Sequence, residues 1–121
     1  RDFSYVKDTV AGFIAALQAE SGLGEVINLG SSFEISINET AQLIGDAMGT
    51  SVEIVSDEIR LRPENSEVER LWADTTKAKE IFDWKPNYGG REGFQRGLAE
   101  TIEWFTKAEN LRAYKSGMYN L

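Results

Sequence analysis

The most constraining feature lies in the first thirty residues. Phe3, Tyr5 and Val6 form a short aromatic and β-branched run that reads as the end of a strand. Asp8 or Thr9 then caps a helix running to about Glu20, with Val10, Phe13, Ile14 and Leu17 recurring at helical spacing on one apolar face. Ser21-Gly22-Leu23-Gly24 stops that helix, and Val26-Ile27-Asn28-Leu29-Gly30 follows as a short apolar run of the buried-strand type. Strand, helix, turn and strand in this order describe a right-handed crossover. Two strands do not make a sheet that is stable by itself. The sheet is therefore completed later in the chain, or its other strands lie outside these 121 residues. That length suits one domain and is short for two.

The remainder supplies helices more readily than strands. After a Ser31-Ser32 loop, Ile35-Ser36-Ile37-Asn38-Glu39 carries a capping-box signature, with Ser36 as N-cap, Glu39 three residues on and Ile35 as a staple. That helix runs to about Met48, with Ala41, Ile44, Ala47 and Met48 on one face and Gly49 as the stop. Val52-Glu53-Ile54-Val55 reads as a strand. The stretch from Ser56 to Arg70 is dense in charge and interrupted by Pro63, as in an extended loop. Asp74 is placed to cap a helix from Thr75 to about Phe82, ended by Trp84-Lys85-Pro86. The last strong helix spans about Arg91 to Lys107 through Phe94, Leu98, Ile102 and Phe105, and a polar tail runs from Asn110 to Leu121. The fold class this implies is α/β, a small mixed domain.

Composition narrows the chemistry. With no Cys and no His, disulfides, thiolate or imidazole metal sites, thiol nucleophiles and Ser-His-Asp triads are excluded. Any acid or base must be Asp, Glu, Lys or Tyr. Thirteen basic against 20 acidic residues, a net charge of −7, argue against a non-specific nucleic-acid binder. They leave room for a local Arg cluster facing an anionic small molecule. No apolar run approaches the roughly 20 residues needed to span a bilayer. The chain opens on Arg1-Asp2-Phe3, with neither Met nor a signal-peptide core, so a cytoplasmic origin and a trimmed or excised fragment are expected.

Most of the suggestive clusters have bland readings. Gly89-Gly90, Gly93 and Gly97 lack the preceding strand and the G-x-G-x-x-G spacing of a phosphate loop, and read as a turn followed by small residues on a helix face. Carboxylate pairs such as Glu64/Glu67 and Glu67/Asp74 read as solvated charge, and Trp72, Trp84 and Trp104 as core or helix-packing residues. The arginines are less easily dismissed. Arg1, Arg60 and Arg62 sit in strand or loop context, Pro63 stiffens the loop presenting Arg62, and a planar guanidinium suits bidentate phosphate contact. Ion pairing with the surrounding acids is the competing explanation.

Six local motifs, in order and suitably spaced, then carry a resemblance. Arg1-Asp2-Phe3-Ser4-Tyr5-Val6-Lys7-Asp8-Thr9, Val26-Ile27-Asn28-Leu29-Gly30-Ser31, Ile35-Ser36-Ile37, Leu61-Arg62-Pro63, Trp72-Ala73-Asp74-Thr75-Thr76-Lys77-Ala78 and Phe82-Asp83-Trp84-Lys85-Pro86 together resemble the extended short-chain dehydrogenase/reductases. They are similar to the C-terminal, substrate-binding portion of NAD-dependent nucleotide-sugar epimerases and 4,6-dehydratases. The run from Arg62 to Leu71 favours the 4,6-dehydratase branch.

The resemblance implies that Arg1 and Arg62 bind a nucleotide diphosphate, that Phe3 lies against the nucleotide, and that the ribose falls to Asn65 or Glu67. Where many relatives continue Arg-Pro-Gly-Asp, this chain has Arg62-Pro63-Glu64-Asn65. It also implies that residues 1–30 are the C-terminal strand-helix-strand of a dinucleotide-binding Rossmann domain, and residues 31–121 the substrate-binding domain. The family's glycine-rich G-x-x-G-x-x-G and its Tyr-x-x-x-Lys are absent from this sequence. NAD is thus expected in a longer parent and not on this chain, which is expected to be inactive alone. A nucleotide-diphosphate sugar, the missing Rossmann domain and a homodimer of the fragment are the expected partners. The alternative is a free-standing truncated relative acting as a small binding or interaction protein.

Overall fold

The computed structural model describes residues 1–55 and 68–112. Among these residues the elements are α1 (Val6–Gln18), α2 (Ile37–Met48), α3 (Thr76–Phe82), α4 (Gly90–Thr106) and the short α5 (Ala108–Leu111). The helix α1 packs on α3, α2 on α4, and α4 on α5. Ile35, Ala78 and Trp84 are the buried apolar centre. No helix among the described residues is long and apolar enough to cross a membrane.

The expected helices form, with differences at their ends that have local causes. Ser36 caps α2 as anticipated, its Oγ accepting from the Glu39 amide at 3.1 Å, and Gly49 closes the helix in the left-handed region at φ 65°. The Glu39 carboxylate pairs with the Arg91 guanidinium at the start of α4, a charge-assisted contact stronger than a neutral amide offers. Ala47 and Met48 are exposed, so the packed face of α2 runs instead through Ala41, Ile44 and the buried Gly45. Asp74 works from one position further out than expected. Thr75 is the N-cap of α3, and Asp74 Oδ1 accepts from the Thr76 amide at 2.9 Å and its hydroxyl at 2.6 Å.

The first helix departs most from expectation. Tyr5 is its N-cap and Val6 its first residue, so the anticipated strand end at Phe3 to Val6 reduces to a single antiparallel bridge between Asp2 and Glu34. Asp8 does not cap. It lies inside the helix, 3% exposed, and its carboxylate accepts the amides of Asn87 and Tyr88 at 2.9 and 2.8 Å. Two amides from another segment hold an ionised acceptor more firmly than one amide of its own first turn.

Val26 to Gly30 and Val52 to Val55 join no ladder among the described residues. Val26 is 81% and Val55 76% exposed. A strand exists only through a neighbour that pairs its amides and carbonyls, and the described residues supply none here. The described architecture is thus helices joined by irregular connections, and the sheet half of the α/β expectation is not displayed in it. Trp72, expected inside, is exposed.

The glycines of α4 serve packing. A Cβ on Gly93 would lie 2.2 Å from the backbone of Tyr88, and one on Gly97 3.2 Å from the ring of Tyr5. Both glycines are buried. They let the turn before α4 and the segment before α1 lie directly on the helix.

Candidate functional site

The segment from Arg1 to Tyr5 is held in place by carboxylates. Asp2 Oδ1 accepts from the Ser31 amide at 2.8 Å and the Ser31 hydroxyl at 2.6 Å, and Asp2 Oδ2 accepts from the Ala73 amide at 3.2 Å. Ser31 is buried, and its hydroxyl oxygen also accepts from the Phe33 amide at 3.2 Å. On the other side of Asp2, Arg1 and Ile35 exchange backbone hydrogen bonds of 2.7 and 3.0 Å.

This clamp sets the direction of the Arg1 side chain. Its guanidinium Nη1 donates to the carbonyls of Val68 and Glu69. Two residues on, Arg70 binds the Glu34 carboxylate in a fork, with Nε at 2.9 Å from Oε1 and Nη2 at 2.5 Å from Oε2. That contact holds the Glu34 carboxyl below the usual carboxylate range. Arg1 is thereby brought to the residues that directly follow the stretch carrying Arg62, Asn65 and Glu67. Those three positions themselves lie outside the described residues.

Phe3 is 38% exposed, with its ring centroid 6.0 Å from that of Phe94 on α4; Phe33 meets Phe94 from another side, also at 6.0 Å. The crevice beside Phe3 has a volume of about 170 Å³, well below the roughly 300–1,000 Å³ usual for a ligand pocket. Phe3 therefore offers a ring face at a surface.

A second carboxylate organises the far end of the segment. Glu100 on α4 accepts from the Tyr5 hydroxyl at 2.8 Å, the Lys7 ammonium at 2.7 Å and the Tyr88 hydroxyl at 2.6 Å. The Tyr5 and Tyr88 ring centroids are 4.4 Å apart, and the Arg96 guanidinium stands 4.5 Å over the Tyr88 ring. Hydrogen bonding from Lys7, Tyr88 and Tyr5 holds the Glu100 carboxyl down at about 2. Tyr5 is pushed up by desolvation and its bond to Glu100, and Tyr88 chiefly by its bond to Glu100. Near neutral pH the carboxylate stays ionised and both phenols stay protonated, so this cluster fixes geometry and neither gives nor takes protons.

Comparison with known proteins gives the family. The family model described as GDP-mannose 4,6 dehydratase matches residues 1–97. The chain belongs to the extended short-chain dehydrogenase/reductases of the nucleotide-sugar epimerase and dehydratase type. It is 39% identical over 112 residues to a UDP-N-acetyl-alpha-D-glucosaminuronate decarboxylase of Bacillus cytotoxicus, covering 91% of this chain and 33% of that protein. It is 34% identical over 118 residues to a UDP-glucuronate 4-epimerase of Thermodesulfobacterium geofontis, covering 96% of this chain and 32% of that protein. A UDP-glucose 4-epimerase of Mycolicibacterium smegmatis is 31% identical over 106 residues, covering 87% and 31%. The chain thus spans about a third of the length of these curated relatives. No solved structure matches it at a significant level.

Within this dehydrogenase/reductase family NAD is the expected cofactor, and the described residues do not offer a glycine-rich cradle for it. In the glycine-rich run Gly89 to Gly97, Gly93 lies against the Tyr88 backbone, Gly97 against the Tyr5 ring and Gly89 against Pro86 and the Ser31 carbonyl, so these three glycines pack on the protein itself. No hydride-transfer step is assigned to this chain. Asp2, Asp8 and Glu100 were not singled out as site-forming residues by sequence reasoning. Asp8 carried a faint signal, because it falls four residues before Gly12 on a face otherwise built of small residues.

Proposed function

We propose that this chain is the substrate-binding portion of an NAD-dependent nucleotide-sugar epimerase or 4,6-dehydratase. In this reading residues 31–121 form the substrate domain, and residues 1–30 complete the sheet of a cofactor domain that belongs to the rest of a longer polypeptide. Arg1 and Arg62 hold the diphosphate of a nucleotide sugar, Phe3 lies against the nucleotide, and Asn65 or Glu67 takes the ribose. The parent reaction oxidises C4 of the sugar, then eliminates water across C5–C6 or re-reduces from the opposite face. This chain contributes orientation: with the diphosphate fixed, the sugar is presented to a cofactor that other residues hold.

The observation that carries the reading is the reach of the Arg1 guanidinium onto the carbonyls of Val68 and Glu69. It draws the Arg-Asp-Phe segment to the end of the stretch that contains the Arg62-Pro63 pair. A guanidinium on each of two separate segments suits a diphosphate, whose two charges favour bidentate contact from planar donors. Membership of the family and relatives whose names specify UDP-sugars support the same ligand class.

Calorimetric titration of the 121-residue chain with UDP tests this. Arg62→Ala is expected to weaken binding by about 1.5–3 kcal/mol, the range of a charge-assisted hydrogen bond, and Arg60→Ala much less. Equal losses from the two would show general electrostatic attraction in place of a specific contact. NAD and a UDP-sugar incubated with the purified chain should give no turnover.

A further inference from the structure

Glu100 lies beyond the last of the family motifs, Phe82 to Pro86, yet it ties the Arg1 to Tyr5 segment to α4. Phe94, Gly97 and Glu100 are three apart and form one stripe along the helix. Each meets the incoming segment in turn: Phe94 meets the ring of Phe3, Gly97 the ring of Tyr5, and Glu100 the Tyr5 hydroxyl. Phe3 thus lies between two anchors. Asp2 fixes one side through Ser31 and Ala73, and Tyr5 fixes the other through Glu100.

We infer that Glu100 is a positioning residue for the nucleotide, acting through Tyr5 to hold Phe3 at the angle from which it meets the ligand. This rests on the reading that Phe3 faces the nucleotide. Glu100 touches no ligand in this scheme. Its three donors divide by role. Tyr5 belongs to the segment that presents Phe3. Tyr88 belongs to the turn before α4, which Asp8 already fixes through two amides. Lys7 lies in α1 and neutralises the carboxylate. A burial or stability role would make the two tyrosine hydroxyls equivalent, since each gives the same carboxylate one hydrogen bond. A positioning role makes them unequal.

The experiment compares Glu100→Gln, Tyr5→Phe and Tyr88→Phe in the full 121-residue chain, with UDP as the probe. Both Phe variants keep the ring and lose only the hydroxyl. Glu100→Gln and Tyr5→Phe are expected to weaken UDP binding several-fold and to diminish the proton NMR contacts between the Phe3 and Phe94 rings. Tyr88→Phe is expected to do neither, even where it lowers the unfolding temperature as much as Tyr5→Phe. Equal effects of the two Phe variants on UDP affinity would overturn the inference. Unchanged Phe3–Phe94 contacts in Glu100→Gln would overturn it independently of any ligand. A parent chain that takes no UDP would instead strike the functional reading, so the two failures are distinguishable.

Discussion

Replacing Asp8 should be among the most damaging single changes in the described part of the chain. Asp8 is 3% exposed and accepts two backbone amides, those of Asn87 and Tyr88, at 2.9 and 2.8 Å. Asp8→Ala removes the acceptor and leaves both amides without it in a space that the truncated side chain does not fill. An orphaned buried donor costs about 1–3 kcal/mol. Tyr88 is half-buried and Asn87 exposed, so water relieves part of that cost, and with the few tenths of a kcal/mol by which Ala is the better helix former the loss comes to about 1–3 kcal/mol. Against a total stability on the order of 5–15 kcal/mol for a domain, that is a large fraction. Asp8→Asn keeps one carbonyl oxygen for one amide and turns an NH2 towards the other, so about half of the loss is expected. Urea unfolding followed by tryptophan fluorescence measures both. Each kcal/mol should also lower the melting temperature by roughly 4 °C at this chain length. The amides of Asn87 and Tyr88 should lose hydrogen-exchange protection before the rest of α4. A loss under about 1 kcal/mol for Asp8→Ala, or an Asn variant worse than the Ala variant, would refute the reasoning.

Two further outcomes follow from the same contacts. The Glu100 carboxyl is held down at about 2 from an ordinary 4.5, so its contribution to stability is complete above pH 4.5 and is lost as pH falls towards 2. Glu100→Gln should flatten acid unfolding in that window, and in absorbance titration at high pH it should bring Tyr5 and Tyr88 down towards the ordinary phenol value of 10.0. Gly93→Ala should destabilise by about 1–3 kcal/mol despite Ala's better helix propensity, because its Cβ would lie 2.2 Å from the Tyr88 backbone; a stabilised variant in thermal melts would contradict the packing role.

The helices were legible because their signals are local. Ser36 and Gly49 mark the ends of α2 through side-chain capping and positive φ, both of which depend on neighbours in sequence. The strands were less so: Val26 to Gly30 has the composition of a buried strand, but a strand requires a partner that the segment does not name. The start of α1 was misplaced for a related reason. Asp8 has the residue type of a cap, and only the fold shows that the amides of Asn87 and Tyr88 claim it from 79 and 80 positions away. At the candidate site, Arg1 and Phe3 were named through resemblance to a family. Glu100 was not, because its role depends on three donors from two distant segments. A glutamate in the third turn of an amphipathic helix is indistinguishable in sequence from an ordinary solvated one.

The outward face of α1 inverts the usual amphipathic arrangement, and this has a measurable consequence. Asp8 and Gly12 are its buried residues, whereas Val6, Val10, Phe13, Ile14 and Leu17 are each at least half exposed, Leu17 at 87%. The helix therefore packs on the described residues through its small and polar side, and its apolar stripe stays free of them. Leu23 and Val26, also exposed, follow directly in sequence. Together these side chains amount to several hundred Å² of apolar surface, the scale that marks an interaction surface and not scattered exposure. In the functional reading the cofactor domain covers this stripe. Alone in water the chain must cover it in another way, and a two-fold pairing of α1 with its copy is the simplest. Light scattering at micromolar concentration should therefore give a mass above the 13.5 kDa of one chain. Phe13→Glu or Leu17→Lys should return it to the monomer without lowering the melting temperature of the fold, since neither side chain is spent inside it. An unsubstituted chain that stays a monomer and binds no dye specific for exposed apolar surface would show that the stripe is covered from within. A Phe13→Glu variant that fails to fold would show the same, and in either case the assignment of residues 1–30 to an external sheet would fall.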